Sequence, residues 1–395
     1  MSNPENKKQA ILHSATRLFS QHGFSQATLL QVAKGAGITT SGIYNYFKSK
    51  EEILFAIIER FMTLSLKGLE EHLEGIQGAE NKLRKAIWFH CRTYSRGKKE
   101  IQIILESRSY TAFYESRAYL ALRDYSRVIT RVITEGMEQG VFQNLSRPGI
   151  LRDMILGTVD HLALDWTINN APSPLEFADR LFDIIMASAT PKALHPEEDD
   201  KKERKKKLII DSASRLFAAN GYGGANMLAV AKEAGVAEGT IYEYYQNKEN
   251  LLISIPRAKL EELLDHMDFE APERNLRESI LSLFRFYYQD RDYSTILVLM
   301  LRPNRSFYSS QSNQSLDRIF SLMERAIIQG QEQGLFSPTL DISLWRNLLF
   351  GTIDHILIPW IIFKRDYDLM QIGQEVTQLV INSLKTHGSH ASTGG

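Results

Sequence analysis

The chain lacks several things, and each absence excludes a class of protein. Cysteine occurs once in 395 residues, at Cys91. No intrachain disulfide can form, which excludes a disulfide-stapled scaffold and fits a reducing compartment. A single thiol on an aromatic-rich stretch reads as a small core residue. No apolar run approaches the roughly 20 residues that a membrane-crossing helix needs. The opening Met-Ser-Asn-Pro-Glu-Asn-Lys-Lys has no apolar signal-peptide core. A cytoplasmic location is therefore expected. No segment alternates with the period of a strand, so the expected class is all-α. No phosphate-cradling glycine loop, metal-ligand cluster or nucleophile elbow occurs, so no enzyme, cofactor or metal site is expected. Net charge is also missing: 47 basic residues balance 47 acidic ones. A uniformly basic nucleic-acid binder is excluded, and only the distribution of charge can matter.

What is present centres on residues 28–50. They read as two short helices joined by a tight turn. Thr28 and Gln31 have the spacing of a capping box, and Val32 and Ala33 form the buried side. Gly37 stands where a left-handed residue ends the first helix. Thr39 or Thr40 can cap the second, whose inward residues are Ile43 and Phe47. Thr40, Ser41, Tyr44, Asn45 and Tyr46 point outward, with Lys48 and Lys50 just behind. Hydroxyls, an amide and lysines on a short helix after a glycine turn suit a helix-turn-helix; a plain corner between core helices is the alternative.

The stretch recurs. At a shift of 198 residues, 22 of the 48 positions from Lys7 to Leu54 are identical in Lys205 to Leu252. Farther on the shift is 194: Gly157-Thr-Val-Asp-His161 returns as Gly351-Thr-Ile-Asp-His355, and Trp166 as Trp360. Repeats of this length are domains, not a solenoid. Both modules are basic. Residues 1–50 hold six Lys or Arg against one acid, and residues 201–248 nine against five. That is the footprint of local phosphate neutralisation.

In chain order, residues 7–22 form an amphipathic helix ended by Gly23. Ser49-Lys-Glu-Glu52 is a second capping box that opens a helix to about residue 73, and its positive end with Lys50 is a natural phosphate site. Residues 79–145 read as three aromatic-rich helices, 148–170 as a helix apolar nearly all round, and 175–189 as a last amphipathic helix. The acidic, proline-containing stretch 191–200 is a linker. The basic run 201–207 is either a solubilising helix end or a phosphate contact. Asn226 caps in place of Thr28, and Glu238 complements a helix dipole but repels phosphate. Pro359 is expected to kink the second all-round apolar helix, 344–363. Residues 387–395 read as a disordered tail.

With these residues in hand, each half resembles the TetR family of bacterial transcriptional regulators. The resemblance rests on Phe19, the glycine turn and Ile43-Tyr44-x-Tyr46-Phe47-x-x-Lys50-x-x-Ile53-Leu54, repeated as Ile241-Tyr242-x-Tyr244-Tyr245-x-x-Lys248-x-x-Leu251-Leu252. It implies helix-turn-helix domains at 1–50 and 201–248, and helical ligand and dimerisation domains at 51–190 and 249–386. It places Thr28, Tyr44 and Lys50 on phosphates and Thr40, Ser41, Asn45 and Tyr46 on bases, with Thr39 and Lys48 beside them. The second copy offers Asn226, Glu238, Gly239, Thr240, Tyr242, Glu243, Tyr244 and Lys248. Leu30 and Leu228 sit where a polar or basic residue is common in the family, and Glu243 replaces an often basic one.

The ligand domains resemble the fatty-acid-degradation branch, which responds to long-chain acyl-CoA, on Leu349-Phe-Gly-Thr-Ile-Asp354, Trp360, Tyr367-Asp368, Arg108 and Arg302. Candidate pocket residues are Trp88, Phe89, Tyr94, Arg108, Phe113, Phe284, Tyr287, Tyr288, Arg302 and Phe307; most such aromatics belong to the core and a few to a cavity between helices. Arg108 and Arg302 either clamp an anionic group or make surface ion pairs. Asp160-His161 and Asp354-His355 read as polar contacts inside the apolar helix layer ahead of a metal site. Family members pair through their last two helices. The covalent tandem is thus expected to fold as an intrachain pseudo-dimer, with pairing of whole chains also open. The expected partners are an asymmetric double-stranded DNA operator and a small apolar effector. The rival expectation is a sensor or scaffold whose second helix-turn-helix serves only as dimerisation partner.

Overall fold

The computed structural model describes residues 4–142, 145–189, 204–255, 271–302, 304–308, 311–364 and 367–385. The linker 191–200, the tail 387–395, and the side chains of the basic run 201–207 and of Thr240, Glu243 and Tyr244 lie outside the described residues. Among the described residues every regular element is helical, and no helix is long and apolar enough to cross a membrane. Described residues up to Val141, with Arg147–Phe182, pack as one compact unit; those from Asp183 onward, with Phe142, Leu145 and Ser146, pack as a second.

In the first unit, α1 (Pro4–His22) buries Ile11, Ala15 and Phe19 and packs on α2 (Leu29–Ala36), α4 (Lys50–Leu73) and α6 (Lys98–Ser107). The Thr28–Gln31 box is closed in both directions, and Gly37 caps α2 at φ 67°, where a side chain would be strained. Helix α3 (Thr40–Ile43) is a single turn continued by Tyr44, and its cap is Thr39, whose Oγ1 accepts from Gly42 N–H. Ser49 caps α4 by accepting from Glu52 N–H, but the Glu52 carboxylate accepts from Lys48 N–H, one residue before the reciprocal partner the spacing predicts.

The rest of this unit is built on α4, α5 (Ala79–Arg96), α7 (Arg117–Glu138) and α8 (Pro148–Ile168), with a 3₁₀ turn at Thr111–Glu115; a further helix, α9 (Ala178–Ser188), entered through Pro174–Phe177, crosses the division between the units after Phe182. Gly68 lets Phe89 sit directly on α4: a Cβ there would lie 2.9 Å from the ring. Helix α8 is buried nearly all round, from Ile150 to Ala163. Each such aliphatic residue contributes roughly 1.5–3 kcal/mol by leaving water.

The second unit repeats the plan. Helix α10 (Arg204–Gly224) is interrupted at Gly221, φ 69°, and is followed by α11 (Met227–Ala234), α12 (Glu238–Tyr244) and a helical segment at 248–255. Asn226 caps α11 by accepting from Ala229 N–H, and Gly235 ends it at φ 68°. The described remainder comprises helices Pro272–Gln289, Arg291–Thr295, Arg305–Tyr308, Gln311–Glu332, Ile342–Ile362 and Leu369–Asn382. Helix Ile342–Ile362 runs through Pro359 to its own last turn. Carbonyls near that end are taken by Tyr367, which donates to Ile356 at 2.6 Å, and by Arg291, which donates to Trp360. One element has no counterpart in the first unit: Ile296–Leu301 is a π-helical turn.

Candidate nucleic-acid interface and buried polar core

Ile43 and Phe47 anchor the recognition segment of the first unit, and their burial turns the intervening side chains outward. Tyr44 is 56% exposed. Thr28, Thr39, Ser41, Asn45 and Lys48 are exposed, and Thr40 and Tyr46 half-buried. One short surface therefore carries hydroxyls, an amide and a cation, the groups that meet phosphates and base edges. In the second unit Ile241 and Tyr245 anchor the segment, Tyr242 is 47% exposed, Asn226 and Gly239 are exposed and Glu238 half-buried. Leu30 and Leu228 are also exposed, one on each module.

The two lysines have another engagement. Lys50 Nζ donates to the Phe24 carbonyl at 2.7 Å and the Ala27 carbonyl at 2.9 Å, and sits 4.4 Å above the Phe24 ring. Lys248 Nζ donates to the Tyr222 and Ala225 carbonyls and sits over the Tyr222 ring. In both units this lysine ties the start of the helix that follows the recognition segment to the stretch ahead of the helix-turn-helix. Glu51 and Glu52 occupy the first turn of α4 beside Lys50.

That stretch is also fastened from the effector side in the first unit. Glu106 Oε1 accepts from Phe24 N–H at 2.9 Å, Tyr110 packs edge-on against Phe24 at 5.2 Å, and its hydroxyl lies 3.3 Å from Ser25 Oγ. Sequence reasoning missed Glu106, Tyr110 and Ser25. The repeat puts Met300 and Asn304 where Glu106 and Tyr110 stand.

Two residues beyond Glu106, Arg108 enters the core. Its Nη2 donates to Asp160 Oδ2 at 2.6 Å, and Tyr94 Oη–H donates to Asp160 Oδ1 at 2.9 Å. The Arg108 and Asp160 side chains are 13% and 4% exposed, so this is a buried pair, not a surface one. Burial alone would lower the Arg108 pKa, but the Asp160 carboxylate outweighs it and holds the guanidinium charged. Burial first, and then the Asp160 charge, push the Tyr94 phenol well up, so it stays a donor. Tyr114 Oη–H holds the Arg108 carbonyl at 2.9 Å, and His90 Nδ1 lies 3.1 Å from Tyr125 Oη.

The second unit repeats the ion pair with Arg302 Nε 3.0 Å from Asp354 Oδ2, and Tyr308 Oη–H holds the Arg302 carbonyl at 2.9 Å. Asp160 and Asp354 are thus structural polar contacts within the helix layer, as expected, and no group able to hold a metal occurs among the described residues. Of the other candidate pocket residues, Phe113, Phe284 and Phe307 are fully buried core. Phe284 presses on Gly373 as Phe89 does on Gly68. Lys85 Nζ lies 4.1 Å and Arg92 Cζ 5.2 Å from the centre of the Trp88 ring. Tyr287 is fully buried, and Tyr288 is 54% exposed beside Trp360.

Comparison with known proteins matches this arrangement to the N-terminal region of bacterial regulatory proteins of the tetR family at residues 11–57 and again at 209–255. The C-terminal region of YsiA-like protein, TetR_C_4, matches residues 58–188 and 246–383, more than half of the chain. The chain belongs to the TetR family. It consists of two TetR-like units in tandem and is a transcriptional regulator, not an enzyme. The fatty acid metabolism regulator protein of Bacillus subtilis is 30% identical over 181 residues, which span 93% of that relative but 45% of this chain. The crystal structure of FadR from Bacillus subtilis in complex with stearoyl-CoA matches at 30% identity and a TM-score of 0.42, covering 97% of its own chain and 45% of this one. FadR from Bacillus halodurans matches at 32% identity and a TM-score of 0.42, covering 97% and 46%. A single-unit relative accounts for less than half of the present chain.

Proposed function

We propose that the chain is a cytoplasmic, ligand-released repressor that reads an asymmetric operator through two unlike recognition segments. The observation that carries the reading is the doubled helix-turn-helix with different outward residues: Thr39-Thr-Ser-Gly42 in one copy and Ala237-Glu-Gly-Thr240 in the other. The two halves pair within one polypeptide, through 148–189 and 342–385, as a pseudo-dimer. The tether supports this pairing, because it replaces a concentration-dependent association by an effective concentration on the order of millimolar. Residues 1–50 and 201–248 are the DNA-binding domains, and 51–190 and 249–386 the effector domains. Thr28, Tyr44, Asn226 and Tyr242 contact phosphates; Thr40, Ser41, Asn45, Tyr46, Glu238 and Gly239 face bases. Recognition segments in successive major grooves stand about 34–36 Å apart.

The effector is a long-chain acyl thioester of the acyl-CoA class, supported by the fatty acid metabolism regulator at 30% identity. Release follows from position. In the first unit α6, which leads directly into Arg108, packs on α1; in the second, Arg291–Thr295 and the π-turn pack on α10. A ligand that favours one arrangement of these segments biases the module they touch.

The test is selection of duplexes from a random-sequence library by the full chain, followed by mobility shifts with Tyr44→Ala and Tyr242→Ala. Two unlike half-sites, with loss of binding in both variants, are expected; a palindromic consensus refutes asymmetric reading. The second reading, a second module that serves only in pairing, draws on Glu238 and Glu243. It predicts indifference to Tyr242→Ala.

A further inference from the structure

The two buried polar cores are not equivalent. In the first unit both Asp160 oxygens are occupied, by Arg108 and Tyr94. In the second, Tyr287 takes the place of Tyr94 but does not reach Asp354. Its hydroxyl, that of Tyr293 and Nη2 of Arg302 are buried with no hydrogen-bond partner. Both tyrosines are fully buried, and their rings stack 6.3 Å apart at 11°.

The cause is visible in the register. Tyr94 and Tyr287 are 193 positions apart, whereas Arg108 and Arg302 are 194 apart. One residue has been inserted between tyrosine and arginine, and the π-turn Ile296–Leu301 absorbs it immediately before Arg302. Arg302 consequently faces Asp354 through Nε, where Arg108 uses Nη2. Tyr293, on the segment leading into the turn, has no tyrosine counterpart: the matching positions are Lys99 and Glu100.

We propose that Tyr287, Tyr293 and Arg302 form a subsite for an uncharged carbonyl oxygen, the thioester carbonyl of a long-chain acyl effector, and that only the second unit has it. The proposal rests on the acyl-thioester reading above. Three buried donors without acceptors, beside the Arg302–Asp354 ion pair, call for an acceptor. Burial holds both phenols protonated, with Tyr287 raised to well above its usual range, so they remain donors. The Arg302–Asp354 pair is already neutral, and a buried carboxylate would add one uncompensated charge. A carbonyl oxygen has two lone pairs, so it accepts from two of the three donors, and it adds no charge. In the first unit the same carbonyl would have to break the Tyr94–Asp160–Arg108 hydrogen bonds, so that core stays closed.

Calorimetric titration of the full chain with stearoyl-CoA, S-octadecyl-CoA and stearate tests this. S-Octadecyl-CoA keeps the chain and carrier but lacks the carbonyl. Expected are one stearoyl-CoA per chain, about tenfold weaker binding in Tyr287→Phe and in Tyr293→Phe, and no change in Tyr94→Phe. None of the three substitutions should alter S-octadecyl-CoA binding, and stearate should bind more weakly than stearoyl-CoA. Circular dichroism melts identify any variant that misfolds, and the wild-type comparison of thioester with thioether stands without variants. Unchanged stearoyl-CoA affinity in both second-unit variants, equal losses for the thioether, equal wild-type binding of thioester and thioether, or two equivalents bound each overturn the subsite alone. No binding of stearoyl-CoA by the wild type overturns the effector reading and the subsite with it.

Discussion

Replacing Asp160 with alanine should be among the most destabilising single changes in the first unit. The carboxylate is 4% exposed and is the shared acceptor of Arg108 and Tyr94. Its removal leaves a guanidinium buried without its counter-charge, which costs about 3–5 kcal/mol in comparable pairs. The Tyr94 hydroxyl also loses its acceptor, but within one network the two losses do not add. Taking about 4 kcal/mol, and 2–4 °C per kcal/mol for a unit of this size, the first unit should melt roughly 10 °C lower. The decisive comparison is Asp160→Leu with Arg108→Met. Removing both charges avoids the orphaned cation and should recover most of the loss. Thermal melts followed by circular dichroism, with urea transitions followed by tryptophan emission, measure both variants; the two units require the slopes to be compared before midpoints are converted. The reasoning fails if Asp160→Ala lies within about 1 kcal/mol of the parent, or if the double variant is no more stable than the single one.

Lys50→Met removes the donor that ties Phe24 and Ala27 to α4, and should destabilise the first helix-turn-helix by about 1–3 kcal/mol without DNA present. A lysine that served only phosphate would leave the melt unchanged and shift only the salt dependence of binding. Cys91 is fully buried, and desolvation pushes its thiol up to about 12. It should resist a disulfide-exchange reagent at pH 8 until the chain is unfolded; rapid labelling of native protein would contradict its burial. The native thiol keeps its proton where the unfolded one has lost it. The stability it contributes is therefore complete below about pH 9 and declines as pH rises from there toward 12. Cys91→Ala should flatten that decline in urea titrations taken across the range.

Much of the scaffold was legible because its signals are local. The Thr28–Gln31 box and Gly37 depend on residues within one turn, so spacing alone located α2 and its end. The same reasoning placed the Ser49 cap but missed that Glu52 closes on Lys48, since spacing alone does not distinguish the two neighbouring N–H groups. Both partners of the buried pair drew attention separately, Arg108 as an anion clamp and Asp160 as half of an Asp-His step. Their pairing spans 52 positions, a distance at which periodicity carries no information. Lys50 shows the opposite limit: its position was right and its engagement with Phe24 and Ala27 was not readable. Tyr293 and the π-turn left one trace, the step in repeat register from 193 to 194, which becomes meaningful only once two helices of equal length, Ala79–Arg96 and Pro272–Gln289, are seen to correspond.

The differences between the copies share a logic. In an ordinary homodimer every substitution is made twice, so one recognition segment or one effector core cannot change alone. Here each change is made once. Gly35, whose Cβ position abuts Ser14 and Arg17, is replaced in the second copy by Glu233, which binds Arg215 at 2.7 Å. Thr40 and Asn45 are replaced by Glu238 and Glu243. Three added carboxylates in one module weaken its attraction to phosphate, while Arg17 in the other has no acid at the matching position. Removing one cation from a phosphate in a single half lowers the salt slope by about one unit, not two. Under the proposed pairing, the first unit would supply most of the non-specific attraction to the duplex. The second would be free to acquire both a divergent base preference and, through the inserted residue before Arg302, an effector core of its own. Measured salt slopes for Arg17→Ala and Arg215→Ala decide the point. A fall of about one unit in the first and little change in the second fits this division, and equal falls in both remove the basis for it.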